Sequence, residues 1–315
     1  MNAYETPPLP GFAEPVPIDW PAAAEDGPPA LRHLDWPALA AELDAEGVAL
    51  TPPLLTPEQC AWLRESYDVP DLFRSTVTMA RHRFGEGSYR YFSHPLPEPV
   101  LALRRQLYPA LARIANTWAA RLGEPAFPER HEDLVAACAA QGQHRPTPLL
   151  LHYEQGGYNC LHQDVHGDLT FPLQVAILLD RPDRDFTGGE SVFVEQRPRA
   201  QSRPLVRRPE QGQGLIFAVH YRPVRSPRGW SRVTLRHGVS AVHTGRRHVL
   251  GVIFHDARQG PRPRPSMFPT RRLRLRAGAS AGFCRLAPVD RQPSRRRRSE
   301  ASPGLRDVPL RLKRG

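Results

Sequence analysis

His162-Gln-Asp164 is followed 73 positions beyond Asp164 by His237, and ten positions further by Arg247. Two imidazoles and one carboxylate are the ligand set of a mononuclear non-haem Fe(II) site, which holds one face of the metal and leaves the other open. His162 and Asp164 are two residues apart, so on an extended strand both side chains point the same way. A third ligand from a distant strand, His237, closes the triangle. The open positions suit an oxygenase, which binds a cosubstrate and O2 on one metal. Arg247 supplies what a dicarboxylate such as 2-oxoglutarate needs, because a guanidinium stays charged and grips a carboxylate with two parallel hydrogen bonds.

The strand around Arg247 fixes which arginine that is. One face carries Arg247, Val249, Gly251 and Ile253, and the other carries Arg246, His248, Leu250, Val252 and Phe254. Gly251 is expected to leave room beside Arg247, so Arg247 is preferred to Arg246. His152, His166, His243, His248 and His255 are competing histidines, and Asp168 is a competing carboxylate. His243 stands only four residues before Arg247, roughly one hairpin rung, so His237 is the better third ligand.

The supporting elements follow from local signals. Asp35 caps a helix with Pro37 in its first turn and Trp36, Leu39, Ala40 and Leu43 at helical spacing before Gly47. A short strand, Val48–Leu50, comes next, and Thr56-Pro-Glu-Gln59 forms a capping box for a second helix. A longer helix is expected from Pro99 to Leu122, kinked at Pro109. From Thr147 onward, β-rich runs at 149–153, 171–179, 191–195, 214–219, 232–237 and 247–254 are separated by turn signals, which suggests a sandwich or barrel. The expected organisation is a disordered leader at 1–30, a helical support region at 31–140, a β core at 141–257 and a disordered arginine-rich tail at 258–315.

Four motifs in order carry a resemblance: Tyr153-x8-His162-x-Asp164, Phe186-x-Gly188-Gly189-Glu190, Gly212-x-Gly214-x-x-Phe217 and His237-x9-Arg247-x6-Phe254-His255. They resemble the Fe(II)/2-oxoglutarate-dependent dioxygenase superfamily, nearest its prolyl 4-hydroxylase-like branch. Phe73-Arg-Ser, Met79-Ala-Arg-His82, Tyr89-Arg-Tyr-Phe92 and Ala115-Asn-Thr-Trp118 further resemble a bacterial oxygenase family described as acting on damaged DNA. The resemblance implies an α+β chain whose double-stranded β-helix (jelly-roll) core carries an N-terminal helical layer. It implies Fe(II) held by His162, Asp164 and His237, with 2-oxoglutarate and O2 as cosubstrates, and Arg247 on the distal carboxylate. Tyr153 and Gln174 are expected to add hydrogen bonds to the cosubstrate. Gly188-Gly189-Glu190 reads as a turn entering a strand. A cupin shares the sandwich but needs no partnered arginine, and a non-enzymatic binding module needs no intact ligand set.

The prime substrate stays open between alkylated DNA, which would be oxidatively demethylated or hydroxylated, and a protein side chain such as proline. Arginines and aromatics interleave along 73–92, a composition that can stack bases and hold phosphates; packing of a helical layer on the jelly roll explains them equally well. The net charge of +11 is uneven: residues 258–315 hold 17 basic and 3 acidic residues, and residues 1–257 hold 26 and 29. The charge therefore belongs to the tail, which is expected to attract polyanions weakly. With 42 arginines against one lysine, Lys313, the arginine content looks like codon bias. No run is long and apolar enough for a membrane span, and no signal peptide is visible. Four scattered cysteines, Cys60, Cys138, Cys160 and Cys284, suit a reducing cytoplasm.

Overall fold

The computed structural model describes residues 31, 33–165 and 167–258. The leader expected at 1–30, His166 and, apart from Arg258, the expected tail lie outside them. The first helix, α1 (Trp36–Glu46), starts at Asp35, whose carboxylate accepts from Ala38 N, and ends at Gly47 in the left-handed region. Strand β1 (Val48–Pro53) follows, then α2 (Pro57–Ser66), with Thr56 and Gln59 making the expected reciprocal capping box. The long helix α3 (Glu98–Leu122) runs through Pro109, and a further helix, α4 (His131–Ala140), has no side-chain cap at its start. Its weak boundary signals explain why the sequence did not announce it.

The remaining strands are β2 (Phe73–Thr78), β3 (Gly85–Glu86), β4 (Ser88–Phe92), β5 (Gln143–Arg145), β6 (Leu149–Tyr153), β7 (Tyr158–His162), β8 (Leu173–Leu178) and β9 (Phe186–Gly188). They continue with β10 (Ser191–Gln196), β11 (Arg203–Arg207), β12 (Gln213–Ala218), β13 (Tyr221–Ser226), β14 (Gly229–Val239), β15 (Val242–Gly245), β16 (Arg247–Val252) and β17 (Ala257–Arg258). Two antiparallel sheets dominate. One has the order β1-β12-β8-β16-β6-β4-β2, and the other has β11-β10-β14-β7-β3 with β13 added beside β14. Most sheet neighbours, such as β1 with β12, β8 with β16 and β14 with β7, are distant in sequence, as in a jelly roll.

The region expected as helical support, 31–140, carries strands as well as helices, the expected one at 48–50 among them. It also contributes β1, β2 and β4 to the first sheet and β3 to the second. Those strands share one compact unit with the β core. The helices cover one face of the seven-stranded sheet. Leu103, Leu107 and Leu111 of α3 join Leu250 and Val252 of β16 and Ile177 of β8 in a single apolar core. A buried polar tether reinforces that contact: Arg104 on α3 donates to Phe254 O at 2.6 Å and to Asp256 Oδ1 at 2.9 Å. The opposite face of the same sheet, turned toward the second sheet, lines a cavity.

Candidate active site

Strand pairing brings the two expected histidines together. His237 on β14 is the direct cross-strand partner of His162 on β7. Asp164 lies just past the end of β7. Its Oδ1 is 3.4 Å from His162 Nε2, and its Oδ2 is 3.2 Å from His237 Nε2. One ligand atom from each of the three lies within 4.8 Å of the others, the one such cluster found among the described residues. His162 Nδ1 donates to Cys160 O at 2.8 Å, which turns Nε2 to the cluster. Such a bond on the far nitrogen is what orients a ligating imidazole. Burial alone would raise the Asp164 carboxyl, but hydrogen bonds and charge from both histidines hold it well below the usual range. For His162, burial opposes the charged form, yet the Asp164 carboxylate raises its pKa.

Arg247 begins β16 opposite Tyr153 of β6 and is only 3% exposed. The expected face is the observed one: Arg247, Val249, Gly251 and Ile253 all line the cavity, whose volume is about 370 Å³. Arg246 points to solvent near Glu154, at 3.8 Å. The Arg247 guanidinium has one long hydrogen bond, from Nη2 to Ser191 Oγ at 3.4 Å, while its buried Nε and Nη1 have none. It forms no ion pair among the described residues. Burial lowers its pKa, with Tyr153, Asp180 and Glu190 countering. A buried guanidinium with donors to spare is costly unless a carboxylate meets it. The donor set at one wall and this cation at another fit a metal-bound dicarboxylate.

Tyr153 is fully buried, lines the cavity, and lies under Arg247, with the guanidinium carbon 5.7 Å from its ring centre. Its hydroxyl accepts from Asn159 Nδ2 at 3.4 Å, and burial pushes the phenol up to about 12. Gln174 is also in the cavity, but it reaches the ligand cluster: its Nε2 donates to Asp164 Oδ2 at 2.7 Å. It is therefore placed to hold the carboxylate, a partner the sequence reading did not assign it.

The competitors are elsewhere. His243 is exposed on β15, and Asp168 is exposed and paired with Arg258. His152 and His248 stack on each other with ring centres 4.4 Å apart, and neither lines the cavity. His255 is buried and accepts from Phe171 N at 3.2 Å. The expected space beside Gly251 is already taken, since a Cβ there would meet Leu149 Cδ2 at 2.8 Å. The glycine that makes room for the arginine is Gly189. Its φ is +66°, and a Cβ on it would meet Arg247 Cδ at 2.8 Å. Its motif was visible in sequence, but contact with a residue 58 positions away was not.

An oxygenase family described as catalysing oxidative methylation of damaged DNA matches residues 87–257, just over half of the chain. The chain belongs to this family. An oxygenase is an oxidoreductase, and that much holds for this chain. Two uncharacterized proteins of Mycobacterium tuberculosis, from strains CDC 1551 / Oshkosh and ATCC 25618 / H37Rv, are each 48% identical to the oxygenase over 167 residues. The match covers 53% of this chain and 72% of each relative. Among solved structures, a prolyl-4-hydroxylase of Pseudomonas putida overlays at a TM-score of 0.41 and 14% identity, covering 71% of this chain and all of that one. A 2OG-Fe(II) oxygenase-family oxidoreductase of Burkholderia pseudomallei overlays at 0.43 and 17% identity, covering 71% of this chain and 93% of that one. No helix among the described residues is long and apolar enough to cross a membrane.

Proposed function

We propose that the oxygenase removes alkyl groups from damaged DNA bases by oxidising the carbon attached to nitrogen. His162, Asp164 and His237 hold Fe(II), and Arg247 binds the distal carboxylate of 2-oxoglutarate. The observation that carries the residue assignment is the shared cavity, with the three-ligand cluster on one wall and a buried, under-bonded guanidinium on another. When bound, iron, 2-oxoglutarate and O2 supply oxidative decarboxylation to succinate and CO2, coupled to insertion of one oxygen atom into a substrate C–H bond.

The side chains set the stage for that chemistry. Arg247 neutralises and orients the cosubstrate's far end, Tyr153 packs beneath it, and Gln174 holds Asp164 in position to ligate. Apolar Val249, Phe193 and Phe217 line the same cavity and exclude water from the reacting centre. Tyr89 and Tyr91 project into the cavity from β4, where a planar base can pack against them. Hydroxylation of an N-methyl group gives a hemiaminal, which breaks its C–N bond to release formaldehyde and return the proton to the base nitrogen.

The family description supports DNA as the substrate class. The test is succinate release with an N-methylated single-stranded oligonucleotide, its unmethylated control and a proline-bearing peptide. The expected result is stimulation by the methylated strand alone, with one formaldehyde per coupled turnover. Stimulation by the peptide, with hydroxylated proline as product, would instead make the enzyme a protein hydroxylase.

A further inference from the structure

The cavity mouth carries an aromatic and an arginine that the assigned chemistry does not use, with a second exposed arginine two positions before the first. They lie on the short turn between β2 and β3. Met79 is fully buried and anchors the turn's start, while Arg81, His82, Arg83 and Phe84 are all exposed. Phe84 is 47% exposed and lines the cavity together with Arg83 and Leu161, which is itself 43% exposed. An isolated exposed phenylalanine needs no explanation. A pair of exposed apolar side chains at the opening of a reactive cavity, flanked by cations, does.

The turn is held in this shape. Arg83 sits in the left-handed region with φ 60°, an uncommon conformation for a side chain of its size. Phe84 N donates to Met79 O at 3.1 Å, and Cys160 N donates to Phe84 O at 2.8 Å. Cys160 is two residues before His162, so Phe84 is tied by its backbone to the strand that carries a proposed iron ligand. Gly85 allows the close approach, since a Cβ there would lie 2.3 Å from Tyr158 O. The backbone therefore fixes an aromatic ring at the mouth. The His82 ring stacks against it, with centres 5.4 Å apart and planes 23° apart.

The charge around it is unbalanced. Arg81 and Arg83 form no ion pair among the described residues, and the one carboxylate between Met79 and Phe92, Glu86, lines a separate hollow with His152 and Glu154. A fixed ring beside unpaired guanidinium groups is the chemistry that grips a single nucleic-acid strand, with a base on the ring and phosphates on the cations. An acidic peptide would satisfy the arginines but would bring no planar group to stack on the exposed Phe84 ring.

We infer that the turn Arg81–Phe84 is a platform for the single-stranded DNA that flanks the target base, with Phe84 stacking a neighbouring base and Arg81 and Arg83 holding phosphates. This rests on the proposed action on DNA bases, and it places strand recognition in the folded unit even though that unit has no overall basic charge.

The test is fluorescence anisotropy of the full-length protein with a labelled single-stranded oligonucleotide bearing one N-methylated base, across a salt series. The variants are Phe84→Ala, Phe84→Trp and the double change Arg81→Gln, Arg83→Asn, in which asparagine keeps the left-handed backbone. Melting temperatures check that each variant folds. Phe84→Ala is expected to weaken binding about tenfold or more, the loss of one base–aromatic stack, and Phe84→Trp to restore it. The arginine pair should lower the salt slope by about 1.4, as loss of two phosphate contacts to a single strand requires. Methyl-DNA turnover with binding and salt slope unchanged in all variants overturns the platform and leaves the DNA reading standing. No binding or turnover of any oligonucleotide by the unmodified protein overturns both.

Discussion

His162 and His237 face each other across adjacent antiparallel strands, with ring centres 4.2 Å apart. The spacing between them in sequence is large, but their spacing in the sheet is one rung. Asp164, at the end of the same strand as His162, completes the cluster with little freedom for a substitute. His162→Ala or Asp164→Ala is expected to reduce 2-oxoglutarate turnover by at least about 100-fold, since changes to mere supporting partners of such ligands already cost about 10–100-fold. Turnover assays beside melting curves check this, with the fold expected to persist because His162 and Asp164 are both only partly buried.

Arg247→Ala should raise the KM for 2-oxoglutarate about 30-fold or more, as truncating one partner of a buried charge pair costs about 2–5 kcal/mol. Arg246→Ala should change it by less than about twofold, because the Arg246 side chain is 72% exposed. Steady-state kinetics in 2-oxoglutarate for both variants decide between them. A larger defect in Arg246→Ala would reverse the assigned strand face.

Gly189→Ala tests what holds Arg247 in place. The added Cβ clashes with Arg247 Cδ and must adopt a positive φ, so the change is expected to cost about 1–3 kcal/mol and to raise the KM for 2-oxoglutarate more than it lowers kcat. A KM unchanged beside a lowered melting temperature would reduce Gly189 to a purely structural turn residue.

Much of this site could be read from the chain because its signals are local. The cap at Asp35, the capping box at Thr56 and the alternation from Arg247 to Ile253 all depend on near neighbours, and all three match the structure. Local signals put 73–78 and 88–92 within a helical layer, although Tyr89, Arg90 and Tyr91 alternate. What makes them strands is pairing of β4 with β6, some 60 residues away, which sends the two tyrosines into the cavity and Arg90 to the other face. The spacing of Gln174 likewise leaves it free to meet the cosubstrate, because its contact with Asp164 depends on the chain crossing from one sheet to the other between β7 and β8.

His131 gives the fold a pH dependence. Burial, with Arg104 adding to it, lowers its pKa to about 3, and it stays neutral while bonding Phe254 O at 3.0 Å. In the unfolded chain it takes up a proton near its ordinary value of about 6.5. The unfolded state then binds more protons between these limits, so this contribution is complete above about pH 6.5 and is lost as the pH falls toward 3. The slope is at most about 1.4 kcal/mol per pH unit. Denaturant melts of the wild type and His131→Gln between pH 7 and pH 4.5 should show a shallower acid loss in the variant; parallel curves would remove His131 as the cause.

The account centres on one cavity that holds metal and cosubstrate together. Anaerobic calorimetry of 2-oxoglutarate binding, with Fe(II) and with the metal removed by chelator, tests it most directly. One cosubstrate per chain should bind when Fe(II) is present, with binding weakened strongly in Arg247→Ala and abolished by chelator or by Asp164→Ala. Binding of 2-oxoglutarate at equal strength without metal, or undiminished in both variants, would contradict it.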